Sequence, residues 1–226
     1  MRSGLSACGT ESPAPSLRTV PIDFAELLAP AHTALVTMEM QRGVVGNDAV
    51  IRALADEVAA LGIVEQTARL AVAARTAGAR VVHCTAEFRD DRAGSNDNAP
   101  MLRMIAKGHP HLIAGSAEAA VVPELGPEPT DVIAARRHGL TPFPGTDLDA
   151  ILRNLGVHTI VASGVSVNIG ITGLVMVAVD LGYRVVLATD AIAGVPRDYA
   201  AAVVEHTLAP LATRLTTDEI LAVWTP

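Results

Sequence analysis

The sequence has little lysine and little cysteine, and each shortage excludes a group of chemistries. Lys107 is the only lysine among 226 residues, so a Schiff-base or phosphate-loop lysine would have to be this residue. It stands in a polar loop segment before Gly108, and we expect a solvated surface charge. Cysteine occurs only at Cys8, in the N-terminal tail, and at Cys84, in an apolar run. This pattern argues against a disulfide framework and favours a reducing, cytoplasmic environment.

Basic runs and long apolar runs are also missing. The net charge is −7, and no cluster of basic residues offers a surface for nucleic acid. No segment approaches the roughly 18 apolar residues that a membrane-spanning helix requires. Half of the residues are hydrophobic and only 18% are charged, which excludes a disordered chain or a coiled coil. The composition therefore predicts a folded protein with neither a nucleic-acid nor a membrane partner.

The length and the order of the apolar runs predict one α/β domain preceded by an arm. Residues 1–32 are rich in Ser, Pro and Ala and form the predicted N-terminal arm, and residues 33–226 form the domain. Short, nearly continuous apolar runs are typical of strands buried on both faces of a parallel sheet. The predicted strands are residues 33–39, 80–85, 131–135, 158–163, 184–189 and 213–216.

Helical stretches alternate with these strands, which indicates right-handed crossovers and helices on both faces of the sheet. The predicted helices are residues 49–61, 65–76, 147–155, 169–181 and 199–212. Residues 87–115 lack strand character and are expected to form a long functional loop. The expected fold is a three-layer α/β/α sandwich with a mostly parallel sheet of six strands. Ligands of such sheets bind beyond the carboxyl ends of the strands, where we look for a site.

Charged residues end the first and third predicted strands. Glu39 ends an apolar run, where a carboxylate is costly to bury without a partner. It is either a general acid or base or a structural ion-pair residue. Arg136 and Arg137 follow the third strand, and either can neutralise Glu39 or clamp a substrate carboxylate. Because neighbours on an extended chain face opposite ways, we favour Arg137 for the site and place Arg136 on the surface.

The turn after the fourth strand is a candidate anion site. Residues 164–170 lead from that strand into an apolar helix. Such a turn exposes several backbone N–H groups, with the helix dipole behind them. These groups can bind an anion or an oxyanion without any special side chain. The alternative is an ordinary strand-to-helix turn.

Four segments, in this order, resemble the isochorismatase-like, or cysteine hydrolase, superfamily over about residues 33–220. Residues 33–41 resemble its first strand, which normally ends in Asp-Met-Gln where this sequence reads Glu-Met-Gln. Residues 137–146 resemble the stretch from the superfamily's lysine to its Phe-x-Gly-Thr motif. Residues 164–170 resemble its Gly-Val-x-Thr-x-x-Cys segment, and residues 182–191 resemble the next segment of the superfamily pattern.

The resemblance implies a catalytic triad of Asp, Lys and Cys, and this sequence has Glu39, Arg137 and Gly170 at those positions. A glycine cannot attack a carbonyl, so hydrolysis through a cysteine thioester is not expected. One branch, the isochorismatases, cleaves a vinyl ether by protonating it from the first-strand acid, and a glycine can replace the cysteine. This implies a hydrolase for a small, anionic substrate, with Glu39 as acid or base. The alternative is a non-catalytic, ligand-binding or structural member, because a tight Glu39–Arg137 pair is a poor proton donor.

The resemblance also implies the surroundings of the site. The expected pocket walls are Gln41, Phe88, Arg89, Phe143, Ser166 and Asn168. The Val165–Ser166 peptide is expected to be cis, and the protein is expected to be a homodimer or homotetramer. No histidine follows the second strand, where one branch binds a metal, so neither a metal nor a cofactor is expected. Cys84 is expected to be a buried structural residue.

Overall fold

Six parallel strands form the central sheet of the computed structural model, which describes residues 21–107 and 111–225. The strands are β1 (Thr33–Met38), β2 (Arg80–Ala86), β3 (Val132–Arg136), β4 (Thr159–Val165), β5 (Arg184–Ala193) and β6 (Thr213–Leu215). They lie in the order β3-β2-β1-β4-β5-β6, and each neighbouring pair is parallel. The predicted fold is confirmed, whereas Cys8 and the first twenty residues of the predicted arm lie outside the described residues.

Helices cover both faces of the sheet. They are α1 (Phe24–Leu27), α2 (Arg42–Val45), α3 (Arg52–Leu61), α4 (Ile63–Ala77), α5 (Pro100–Lys107), α6 (Leu148–Asn154), α7 (Thr172–Asp180), α8 (Arg197–Val203) and α9 (Thr217–Trp224). Because side chains alternate along a strand, Val36 and Met38 of β1 pack with α6, α7 and α8, and Leu35 packs with α4 and α9. Within the described ranges, no helix has the length and apolar character needed to cross a membrane.

The strand order reverses direction between β1 and β4. From β1 the chain adds β2 and β3 on one side, and β4, β5 and β6 lie on the other. At such a switch point the loops that follow the two central strands leave in opposite directions and open a crevice. Glu39 directly follows β1 and Ser166 directly follows β4, so two segments predicted to carry chemistry meet at this crevice.

Several predicted boundaries differ from the structure, among them those of β5, of the helix after β4 and of the long loop. Strand β5 extends beyond residue 189 because Ile192 and Ala193 pair with the end of β4 after a shift in register. The helix predicted from residue 169 begins as a π-helical turn, Val167–Ile171, before α7. The predicted loop of residues 87–115 contains α5, and Lys107 lies at the exposed end of that helix.

The last part of the predicted arm packs against the domain. Leu27 and Leu28 are buried in the core that α4 and α9 share. The indole N–H of Trp224 donates a hydrogen bond to the carbonyl of Leu28 at 2.9 Å. Residues 21–32 therefore contribute apolar surface to the core, and the domain boundary at residue 32 stays a prediction.

A buried polar chain crosses the sheet on the α4 side. The imidazole of His83 lies 2.8 Å from the Thr37 hydroxyl and 3.3 Å from an Asp131 carboxylate oxygen. Arg75 of α4 pairs with Asp131 at 2.7 Å. Since the carboxylate accepts from Nε2–H, Nδ1 is assigned as the acceptor of the Thr37 hydroxyl proton. Burial lowers the pKa of His83, and the nearby Asp131 only partly opposes this effect.

Candidate functional site

Glu39 lies at the carboxyl end of β1 in an unusual backbone conformation. Its φ is 53°, in the left-handed region that residues other than glycine rarely adopt. Two hydrogen bonds fix this turn. The Glu39 N–H donates to the Cys84 carbonyl at 2.9 Å, and the Gln41 N–H donates to the Glu39 carbonyl at 2.8 Å. Strain of this kind occurs most often where a side chain must be aimed at a functional site.

The partner of Glu39 is Arg136, and the prediction that Arg137 occupies this place is wrong. Arg136 is the last residue of β3, in register with Ala86 of β2, and its side chain faces the same buried side as Ala134. One terminal nitrogen, Nη2, donates to Oε1 of Glu39. The Arg136 side chain is 8% exposed and that of Glu39 is 19% exposed, whereas Arg137 faces solvent. The two arginines do face opposite ways, but Arg136 is the one that faces the site.

The remaining polar atoms of this pair differ in their surroundings. Nε of Arg136 donates to the Gly139 carbonyl at 3.3 Å. Nη1 is buried and has no hydrogen-bond partner among the described residues. Oε2 of Glu39 also accepts no hydrogen bond from the described part of the chain. The pair therefore keeps one donor nitrogen and one acceptor oxygen uncommitted.

Gly170 lies in the π-helical turn after β4, and the backbone there leaves no room for a side chain. A β-carbon on Gly170 would lie 2.8 Å from the Val165 carbonyl oxygen and 3.1 Å from Cε of Met38. The Val165–Ser166 peptide is cis, as expected. The turn begins at Val167, so its first N–H groups precede any helical acceptor and are available to an anion.

Ser166 and Asn168, two predicted pocket residues, flank the start of this turn. The Ser166 carbonyl accepts from the N–H groups of Ile169 and Ile171, which commits it to closing the turn. The Asn168 amide donates to the Val195 carbonyl at 3.2 Å, and its Oδ1 is buried without a partner among the described residues. Both residues lie at the switch point, and their role as pocket walls stays a prediction.

Gln41 and Phe143 are expected to be pocket walls, but both side chains are buried within the protein. The Gln41 side chain is fully buried, donates to the Ala86 and Ala119 carbonyls and accepts from the Ala86 N–H. It joins the ends of β1 and β2 to a crossing loop. Phe143 is buried among the core residues of α6 and α7 and stacks on Tyr183. Neither side chain keeps a free polar group for a ligand.

Phe88, Arg89 and Arg137 line a separate, outer cleft of about 430 Å³. Its other walls are Asp90, Asp91, Ile113 and Ala114, and neither Glu39 nor Gly170 contributes to it. Arg89 forms an ion pair with Asp91 at 2.7 Å. Of the three expected triad positions, Arg137 therefore lines the outer cleft, apart from Glu39 and Gly170.

Cys84 is buried beneath the pair, as expected, and its thiol is not activated. Its side chain is 1% exposed, and burial raises the pKa of the thiol to about 12. A nucleophilic cysteine needs a lowered pKa and an accessible sulfur, and Cys84 has neither. Among the described residues, no group of three or more His, Cys, Asp or Glu side chains is arranged to hold a metal ion.

Comparison with known proteins gives a consistent result. Residues 33–219 match the family profile described as the isochorismatase domain. The chain is 30% identical over 180 residues to the uncharacterized isochorismatase family protein YwoC of Bacillus subtilis strain 168, an alignment that covers 77% of this chain and 82% of that protein.

Two further relatives are similar to this chain. It is 30% identical over 149 residues to the ureidoacrylate amidohydrolase RutB of Methylorubrum extorquens strain DM4, with 61% of this chain and 60% of that enzyme aligned. A solved structure of an isochorismatase family protein from Burkholderia thailandensis superposes with a TM-score of 0.71 at 26% identity, and the match covers 87% of this chain and 97% of that one. The shared region contains the sheet, the Glu39 position and the turn at Gly170.

Proposed function

Because this chain belongs to the isochorismatase family, we propose that it is a hydrolase of a small, anionic substrate that forms no covalent cysteine intermediate. The observation that carries the proposal is the packing at Gly170. The Val165 carbonyl oxygen and Met38 occupy the space that the first carbon of a nucleophilic side chain would need. Cys84, the free cysteine within the described residues, is buried, and burial raises its pKa to about 12.

Glu39 is the proposed acid or base. Arg136 holds Oε1 and thereby fixes the direction of the carboxyl group, while Oε2 stays free to exchange a proton with a substrate or a water molecule. Arg136 takes the electrostatic role that the sequence assigned to Arg137. The N–H groups at the start of the π-helical turn, at Val167 and Asn168, would bind negative charge that develops on the substrate.

Two bond classes suit this arrangement. In a vinyl ether, protonated Glu39 transfers its proton to the terminal carbon, water adds to the resulting cation, and the C–O bond breaks as the hemiketal collapses. The proton released by the water returns to Glu39. In an amide, deprotonated Glu39 takes a proton from the attacking water and returns it to the leaving nitrogen. The similarity to a ureidoacrylate amidohydrolase supports the inclusion of ureido amides in any substrate search.

The test is turnover of a panel of vinyl ethers, amides, ureido amides and esters, each with and without a carboxylate. We expect Glu39→Gln to lower the rate at least about 100-fold, since general acid–base catalysis contributes 10²–10⁴-fold. Glu205→Gln, an exposed carboxylate paired with Arg214, is the matched control and should keep the wild-type rate. Cys84→Ser should keep it as well. Equal turnover rates for wild type and Glu39→Gln would contradict the proposal.

A non-catalytic, ligand-binding or structural member of the family is the second candidate. The Glu39–Arg136 ion pair favours this candidate, because the pair is largely buried and its two charges already neutralise each other. Thermal shift against small acids separates the two candidates. Binding without turnover across the panel supports the second candidate, and any product whose formation depends on Glu39 removes it.

The proposal includes a cytoplasmic homodimer or homotetramer. Met176 on α7 and Tyr199 on α8 are large, exposed side chains that a second copy of the chain would cover. Sedimentation velocity tests the oligomeric state. A monomer at micromolar concentration would contradict this part of the proposal and leave the hydrolase proposal unaffected.

A further inference from the structure

Arg136 has an incomplete set of hydrogen-bond partners for a buried guanidinium. Nη2 donates to Glu39 and Nε to the Gly139 carbonyl, whereas Nη1 is buried with no partner among the described residues. Only 8% of the side chain is exposed. A buried charged donor without an acceptor is costly, so its retention needs a reason beyond the ion pair.

We propose that Nη1 of Arg136 is the anchor for a single carboxylate group of the ligand, in a site where Nη2 keeps its bond to Glu39. This inference rests on the proposed function, because it names the substrate class of the same site. A carboxylate gives Nη1 a charge-assisted hydrogen bond, which a neutral carbonyl or amide cannot match. Because Nη1 is closed to solvent, a bond formed there is shielded from competing water.

A single carboxylate fits the charge of the site better than a phosphate dianion does. Glu39 already neutralises Arg136, so each bound anion adds uncompensated negative charge. Two carboxylates on one guanidinium lie within about 4–6 Å of each other, a distance at which like charges repel. One carboxylate limits the added charge to a single unit, whereas a phosphate dianion adds nearly two.

The test is calorimetric binding of benzoate and of its neutral analogue benzamide. We expect benzoate to bind at least about tenfold more tightly than benzamide. Arg136→Gln should lose at least about tenfold in benzoate affinity, and Arg137→Gln, the matched neighbour on the surface, should keep wild-type binding.

Arg136→Lys covers the case in which Arg136→Gln fails to fold. It keeps the charge but loses the planar fork, so we expect a weaker preference for benzoate over benzamide in a folded protein, checked by circular dichroism. Equal affinity for the two probes, wild-type binding in Arg136→Lys, or no benzoate binding at all would overturn the anchor. Tighter binding of benzoate without turnover of any substrate contradicts the hydrolase proposal alone. Equal turnover rates for substrates with and without a carboxylate would contradict the anchor alone.

Discussion

The side chain of Met38 lies so close to Gly170 that it takes up part of the space that a side chain at position 170 would need. Cε and Cγ of Met38 lie 3.1 and 3.3 Å from the point where a β-carbon on Gly170 would stand. The Val165 carbonyl oxygen lies 2.8 Å from the same point, and unlike the methionine tip it cannot move without the backbone. The packing of β1 against the turn therefore disfavours any side chain at position 170.

Gly170→Cys should not restore a thiol-dependent hydrolase. The new β-carbon must displace the Val165 carbonyl, so we expect a loss of about 1–3 kcal/mol in the free energy of unfolding, as for other overpacked sites. Urea denaturation measures this loss, and amide hydrolysis before and after iodoacetamide tests the thiol. Gly182→Cys, where a β-carbon meets open space but φ is 88°, separates backbone strain from crowding. Wild-type stability together with iodoacetamide-sensitive amidase activity in Gly170→Cys would contradict the crowding at this position.

The Glu39–Arg136 pair should behave as a coupled buried unit. Removal of one partner leaves an unpaired buried charge, so we expect Glu39→Gln and Arg136→Met each to cost about 3 kcal/mol in unfolding free energy. The double variant should lose less than the sum, by at least about 1 kcal/mol. Arg137→Met is the control and should change stability by no more than about 0.5 kcal/mol. Additive losses in the cycle would show that the two side chains do not interact.

The stability of the fold should fall as the pH drops below about 6.5, the ordinary pKa of histidine. Burial lowers the pKa of His83 in the folded chain, and Asp131, Arg75 and Thr37 surround it. The unfolded chain then binds a proton that the folded chain does not, which costs up to about 1.4 kcal/mol per pH unit. Unfolding free energies measured by urea between pH 5 and 8 should show this slope in wild type and in His206→Gln, an exposed control. An undiminished slope in His83→Gln would assign the effect to other groups.

Gln41 should be a structural brace for the end of β1. Gln41→Ala leaves the Ala86 N–H and the Ala86 and Ala119 carbonyls without their partner, at a cost of about 1–3 kcal/mol in unfolding free energy. Hydrogen exchange at the Ala86 N–H should accelerate by the corresponding factor. Gln66→Ala, a surface glutamine on α4 that contacts Arg69, should change neither quantity. Unchanged exchange at Ala86 in Gln41→Ala would refute the brace.

The sequence predicted the sheet well because the apolar runs of the four central strands, β2, β1, β4 and β5, are buried on both faces over most of their length. The edge strands β3 and β6 are partly exposed. The position of Glu39 followed from the same reasoning. The choice between Arg136 and Arg137 did not, because it depends on where β3 ends, and one residue of error reverses the face of every side chain. Pairing of Ala86 with Arg136 decides it, and that register is not visible in either segment alone.

The crowding at Gly170 and the role of Gln41 were beyond the reach of the sequence for a different reason. Met38 of β1 packs against Gly170 in the turn after β4, and Gln41 contacts Ala119, 78 positions away in sequence. Neither contact leaves a periodic trace. The sequence does not distinguish a glutamine that bonds within the protein from one that lines a pocket. It therefore predicts a pocket wall at Gln41, whereas the side chain forms its hydrogen bonds within the protein.

The bond between Trp224 and Leu28 joins positions 196 apart and holds the segment before β1 against the last helix, α9. Pro21 and Leu27 line a cleft with Arg184 and Thr213, the first residues of β5 and β6, so this junction lies at the amino edge of the sheet. Glu39 lies at the opposite edge. A tether, a fluorophore or a solid support attached beside Pro21 or Thr225 therefore faces away from the crevice. Protein immobilised in this way presents every candidate site to solution in the same orientation.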